Sequence, residues 1–233
     1  LLRIMIKILM TKSVDYSSFS KRIFFVKSCD FLSVKYCILD NPPLNDQIIF
    51  TSCNGVKGFI YNFGINILKK KKFYVVGDKT YSFLRKNCGI FSLIFRKNYV
   101  QDLMNVLFKK KSNQSYDWFC GKKSILKNQC NYFHKKNIFI NRYEVYQTFF
   151  IPHRIKNLSS YHGIIFFSPS GAKSFFIKNK IQHNSKTEFF AIGKTTAEFV
   201  SKFLNRKKIW IPDQPSLKEI LFFVRKFFEK NVE

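Results

Sequence analysis

Six stretches of the chain set small hydroxyl, glycine or lysine residues directly after an apolar run. They are Thr11-Lys12-Ser13, Thr51-Ser52-Cys53-Asn54-Gly55, Gly77-Asp78-Lys79-Thr80, Gly121-Lys122-Lys123, Ser168-Pro169-Ser170-Gly171 and Gly193-Lys194-Thr195-Thr196. Such residues suit the start of a helix, where free backbone N–H groups and the positive end of the helix attract anions. Hydroxyls add further donors, so the set is fitted to carboxylates or phosphates. Capping alone accounts for any one turn, since Ser and Thr are ordinary N-caps and glycine permits tight turns. Their symmetric recurrence points to a binding cleft between two copies of one design.

Other chemistry is poorly supplied. The six cysteines (Cys29, Cys37, Cys53, Cys88, Cys120, Cys130) include no C-x-x-C pair and have no histidine cluster beside them, so they make no zinc site. His134, His153, His162 and His183 stand in polar surroundings and are expected at solvated positions. There is no G-x-S-x-G elbow, Walker loop, G-x-G-x-x-G fingerprint or evident carboxylate pair. The expectation is a protein with neither metal nor cofactor.

An internal repeat tells which elements must position the turns. Ile48 and Ile164 stand 116 residues apart, and so do Gly77 and Gly193. Between Ile48 and Lys86 the copies align without a gap, pairing Ser52 with Ser168, Gly55 with Gly171, Gly77 with Gly193 and Thr80 with Thr196. Biased composition would not align glycines and threonines. Within each copy, short continuous apolar runs (QIIFTS, FYVVG, WFCG, GIIFFS, FFAIG) suit strands buried on both faces of a parallel sheet. Each is followed by a helix pattern: TTAEFVSKFL carries Ala197, Val200, Phe203 and Leu204 on one side, and VQDLMNVLFKK carries Leu103, Val106 and Leu107. SLKEILFFVRKFFEK opens on Ser216 with Glu219 three residues on, a capping-box signature. The alternation predicts an α/β protein with parallel sheets. Lys109–Asp117 is expected as a surface loop. In open parallel sheets ligands bind outside the carboxyl ends of the strands, where these turns fall.

The bulk numbers agree. With 233 residues and 46% hydrophobic content, the chain can build one large core or two smaller ones. The net charge of +27 accompanies enrichment in Phe, Ile, Asn and Lys, which all have AT-rich codons, so codon bias accounts for it better than a nucleic-acid surface. The charge still attracts a polyanion over a Debye length of about 8–10 Å. The opening LLRIMIKILM is too short and too interrupted by Arg3 and Lys7 for a membrane span of about 20 residues. It is expected to form a first buried strand. Scattered cysteines fit a reducing cytoplasm.

IIFTSCNGVKGF, FYVVGDKT, YEVYQT (Tyr143–Thr148), IIFFSPSGAKSFF and FFAIGKTTAEFV, in this order along the chain, resemble uroporphyrinogen-III synthases from about Lys7 to Phe228. The stretch Val14–Asn45 matches poorly and looks shortened. The resemblance implies two Rossmann-like or flavodoxin-like parallel-sheet α/β domains, related by the repeat and joined by a two-strand linker. Residues 1–38 with 150–233 would form the first, 44–145 the second, and 39–43 and 146–149 the crossings. It implies closure of the linear tetrapyrrole hydroxymethylbilane to uroporphyrinogen III, with loss of water and inversion of the last ring through a spiro intermediate. It implies no metal, cofactor or membrane partner and makes a nucleic-acid partner an unexpected one, in a cytoplasmic monomer.

By the same resemblance Tyr146 assists hydroxide departure; packing of the crossover is its competing role. A phenol, with an ordinary pKa of about 10, is a donor at neutral pH. Thr80 and Thr196 bind carboxylates or the pyrrole region. Ser168, Ser170, Gly171 and Thr195 contribute partly through backbone N–H groups, and Thr11, Ser13, Ser52, Asn54, Gly55, Lys79 and Lys194 complete the set. Two departures stand out: Cys53 where many relatives have Arg, and Lys194 in place of the usual Pro. A decayed, non-catalytic homologue and a basic α/β nucleic-acid-binding module stay open as alternatives.

Overall fold

The computed structural model describes residues 5–89, 92–97, 100–109, 114–122, 138–182, 186–204 and 208–230. The apolar runs become strands with no face left for water: Ile48, Ile49 and Phe50 are fully buried, as are Ile164, Ile165 and Phe166. In chain order the strands are β1 (Ile6–Met10), β2 (Phe24–Ser28), β3 (Leu32–Tyr36), β4 (Gln47–Phe50), β5 (Lys72–Val76), β6 (Ser92–Lys97), β7 (Gln114–Gly121), β8 (Ile138–Phe150), β9 (Gly163–Phe166) and β10 (Glu188–Ala191). The helices are α1 (Cys53–Phe63), α2 (Asp78–Cys88), α3 (Val100–Lys109), α4 (Pro169–Lys178), α5 (Lys194–Ser201) and α6 (Leu217–Glu229). The chain divides into two compact units, Leu1–Ser33 with Phe149–Glu233, and Val34–Thr148. The boundaries fall inside β3 and β8. Residues 39–43 lie between β3 and β4, within the second unit.

The first unit holds a parallel sheet in the order β10-β9-β1-β2. Alternation along β1 sends Ile6, Ile8 and Met10 to the face covered by α6 and Leu9 to the face covered by α4 and α5. Helix α6 supplies Ile220, Leu221, Val224 and Phe228 to the first of these faces. Each such side chain stabilises by about 1.5–3 kcal/mol when fully buried. Ser216 caps this helix, accepting the Glu219 N–H at 3.1 Å, but Ser216 N–H goes to Gln214 O rather than to a Glu219 carboxylate. Half of the expected capping box is therefore formed.

Residues 11–23 link the parallel strands β1 and β2 without a crossover helix. Phe19 fills part of the gap, 4% exposed and edge-to-face on Phe24 at 5.0 Å, and Arg225 of α6 donates to Ser18 O at 3.3 Å.

The second unit holds the sheet β3-β8-β7-β4-β5-β6. Strands β8, β7, β4, β5 and β6 run parallel. Cys37 N–H donates to Val145 O and Ile151 N–H to Phe31 O, so β3 joins β8 in the antiparallel sense. Helix α3 packs Leu103, Met104 and Leu107 with Trp118, Cys120, Ile138 and Ile140. On the other face α1 packs Val56 and Phe59 with Phe50, Phe119 and Val145.

The polar segment expected as a loop up to Asp117 is already strand from Gln114. Asp117 is fully buried and accepts from Asn45 N–H (2.8 Å), Asn45 Nδ2 (2.6 Å) and Asn141 Nδ2 (3.0 Å). A buried polar network, not an apolar run, satisfies this half of β7, which is why the pattern missed it. No described helix is long and apolar enough to cross a membrane.

Candidate active site

Because the strands of each sheet that carry the turns are parallel, the turns collect at one edge of that sheet. In the first unit they follow β1, β9 and β10. Ser168, in extended conformation, caps α4 by accepting the Gly171 N–H at 3.0 Å, and Pro169 takes the first helical position, where its missing N–H costs nothing. Ser170, Lys194 and Thr195 are exposed, whereas Thr196 is 4% exposed. Lys194, in the usual place of proline, is the first residue of α5. The Ser13 N–H is already engaged within the unit, donating to Asp30 Oδ1 at 2.9 Å. Thr11 is committed to the fold: its hydroxyl and its N–H both donate to Ile165 O, at 2.9 and 3.0 Å.

In the second unit the turns follow β4 and β5. Ser52 caps α1 as Ser168 caps α4, accepting the Gly55 N–H at 3.0 Å. Cys53 opens the helix as a half-buried free thiol, and Asn54 is half-buried behind it. Gly77, with φ of 85°, makes the turn into α2, a conformation that favours glycine. Lys79 is exposed and Thr80 is 4% exposed. Asp78, an acid beside a place meant for anions, is paired with Arg96 at 2.7 Å. Among the described residues neither the Thr80 nor the Thr196 hydroxyl has a hydrogen bond. The two threonines thus match in the repeat in both burial and lack of a hydroxyl partner among the described residues.

Tyr146 belongs to the second unit's site. Its phenol oxygen lies 3.1 Å from Ser52 Oγ, at the N-terminus of α1. The ring covers Gly121, the last residue of β7: a Cβ there would meet the ring at 2.9 Å. The sequence sets Gly121 among the strand-end turns suited to anions; only the neighbour across the sheet shows that it makes room for the Tyr146 ring. Arg142 closes this corner, donating to Gly121 O (3.3 Å) and Lys122 O (3.2 Å) and pairing with Glu144 (3.0 Å).

The described histidines are not simply solvated. His153 stacks on Phe31 at 4.1 Å, and His162 Nδ1 accepts the Lys7 N–H at 2.9 Å. Burial, with Lys7 nearby, holds the His162 imidazole below its ordinary pKa, in the neutral form that can accept. His134, Cys130, His183 and Lys123 lie outside the described residues. Among the described residues no group of His, Cys, Asp and Glu could hold a metal ion.

The fold and these turns define a two-unit α/β protein whose chemically equipped residues lie at the carboxyl ends of parallel strands. Residues 38–221 match the family described as uroporphyrinogen-III synthase HemD, and the chain belongs to that family. It is an enzyme of tetrapyrrole biosynthesis, of the lyase or cyclase kind, and its substrate is a tetrapyrrole. The crystal structure of uroporphyrinogen-III synthetase from Helicobacter pylori 26695 aligns with a TM-score of 0.67 at 18% identity, covering 96% of this chain and 100% of that one. At that identity the likeness is one of fold. Comparison with curated proteins finds no matching sequence.

Proposed function

We propose that the chain is a cyclising hydro-lyase that closes hydroxymethylbilane to uroporphyrinogen III, with Tyr146 as the acid. The observation that carries this is the position of the Tyr146 phenol, 3.1 Å from the Ser52 hydroxyl at the ligand-facing turn of α1. Acid and anion-receiving donors therefore share one edge of one sheet. Carboxylates of the substrate suit, in the second unit, the first-turn N–H groups of α1 and α2, the Thr80 hydroxyl and the Lys79 ammonium; the first unit by itself offers the equivalent donors at α4 and α5, the Thr196 hydroxyl and the Lys194 ammonium. The side chains of Ser13, Asn54, Ser168, Ser170 and Thr195 add donors around them, while the Gly171 N–H is already given to Ser168 Oγ.

The chemistry asks little of side chains. The electron-rich pyrrole pushes the hydroxyl off its methylene carbon, and the departing oxygen takes the Tyr146 proton and leaves as water. The substituted carbon of the last ring then attacks, giving the spiro intermediate; the older methylene bond at that carbon breaks and re-forms at the ring's free α-carbon, whose proton is lost and restores the Tyr146 phenol. Unassisted closure occurs without inversion, so holding the chain in one fold decides the product. Thr11 supports this edge through Ile165 rather than touching substrate. The protein would act as a monomer in the cytoplasm, a compartment that its free thiols suit.

A coupled assay supplying fresh hydroxymethylbilane tests the function; isomer III is expected, and isomer I alone would make the chain a non-catalytic homologue. Tyr146→Phe should lower kcat by about 10²-fold, the lower end for loss of an acid. Full turnover by a folded Tyr146→Phe would remove the phenol from the mechanism.

A further inference from the structure

Strict alternation along β8 would put Tyr146 on the wrong face of the sheet. Ile138 and Ile140 pack on the α3 side, while Tyr143 and Val145 pack on the α1 side. Position 146, one beyond Val145, belongs by parity with Ile138 and Ile140. Yet Tyr146 packs with Tyr143 and Val145. The reason is a slip in register: Cys120 pairs with Glu144, but the next residue, Gly121, pairs with Tyr146, so Val145 is an extra residue in β8. Such a bulge re-aims the side chain that follows it. The slip is fastened on both sides, by Lys122 N–H donating to Tyr146 O at 2.9 Å and by Arg142, which bonds Gly121 O and pairs with Glu144. Gly121 leaves room for the turned ring, since any Cβ would stand 2.9 Å from two of its carbons.

The ring then meets Ser52, whose hydroxyl already has one duty. Its oxygen accepts the Gly55 N–H as the cap of α1, which leaves its own proton to give away. The equivalent Ser168 makes the same cap bond, to Gly171, and among the described residues meets no tyrosine. We propose that Ser52, Gly121 and the β8 bulge form a seat for the Tyr146 phenol, with Ser52 donating its hydroxyl proton to the phenol oxygen. Ser52 is then a positioning residue rather than a carboxylate ligand. Its donation leaves the Tyr146 proton free to point at the departing hydroxyl. It also stabilises the negative charge that builds on the phenol oxygen as that proton leaves, in a geometry fixed beforehand. The seat rests on Tyr146 being the acid.

The test is a mutant cycle on the intact chain, reading kcat, KM and thermal midpoint. Ser52→Gly removes the hydroxyl at a helix-cap position where glycine costs little. It should lower kcat about three- to tenfold, the range for one net hydrogen bond, with KM little changed. In a Tyr146→Phe background the same change should have no further effect on kcat, and Ser52→Thr should restore wild-type kcat in the single mutant. Gly121→Ala, which crowds the ring without touching Ser52, should also lower kcat. Additive losses in the cycle, or a Ser52→Gly effect confined to KM, would overturn the seat while leaving Tyr146 as the acid. A fully active Tyr146→Phe would overturn both.

Discussion

Thr11, Thr80 and Thr196 each follow an apolar run and each end nearly buried, at 4% exposure. Among the described residues only Thr11 has its hydroxyl engaged, on Ile165 O. The three were equivalent candidates in the sequence, because residue type and place after a strand were all that could be read. Their partners separate them. Thr11→Val should destabilise the fold by about 1 kcal/mol, the net value of the lost bond, and leave KM unchanged. Thr196→Val loses no internal bond, so its unfolding midpoint should stay put while KM rises about three- to tenfold. Urea unfolding beside steady-state kinetics separates the two. A stability loss in Thr196→Val comparable to that in Thr11→Val would show that its hydroxyl serves the fold instead.

At the scale of elements, α1 and α4 are the repeat's equivalent helices, yet they approach their surroundings differently. A Cβ at Gly55 would lie 2.5 Å from Phe119 O, and one at Gly58 would lie 2.7 Å from Val145 Cβ. Both glycines let α1 lie directly on β7 and β8, beside the bulge that turns Tyr146. In α4 the counterpart of Gly58 is Ser174, fully buried with its hydroxyl unbonded among the described residues, and a Cβ at Gly171 meets Ser168 Oγ at 3.1 Å and Thr11 O at an ordinary 4.0 Å. Gly55→Ala should therefore cost about 1–3 kcal/mol by overpacking against backbone. Gly171→Ala should cost less, since its neighbour can give and alanine favours a helix by about 1 kcal/mol over glycine. Chemical denaturation of the two variants measures the difference; equal losses would refute the closer approach of α1.

At the scale of the whole molecule, connectivity matters more than the repeat. The second unit is continuous in sequence and owns two hydrophobic clusters, one on each face of its sheet. The first unit is not continuous: β1 and β2 come from the start of the chain and are half of its four-stranded sheet. A fragment spanning residues 31–151, which keeps β3 and β8 whole, should unfold cooperatively by itself. A fragment of residues 149–233 retains only β9 and β10, a sheet too small to stand alone, and should not. Circular dichroism on heating checks both. Cooperative unfolding of the second fragment would mean that β1 is not needed to complete that core.

The sequence by itself determined the repeat, the parallel α/β class, the strands that are apolar on both faces, and the turns after them. Each of these is written locally, in runs, caps and glycines, or in a spacing of 116 residues that recurs. It was silent on β2, which is reached from β1 without a crossover helix, on β3, and on the first half of β7, where Asp117 is satisfied by Asn45 and Asn141 instead of by apolar burial. It named Tyr146 and Ser52 separately. Only the tertiary structure decided that the two hydroxyls meet. Strand parity, the one rule the sequence offers for the direction of a side chain, points Tyr146 the other way, and the register slip that reverses it exists only in the pairing of β8 with β7.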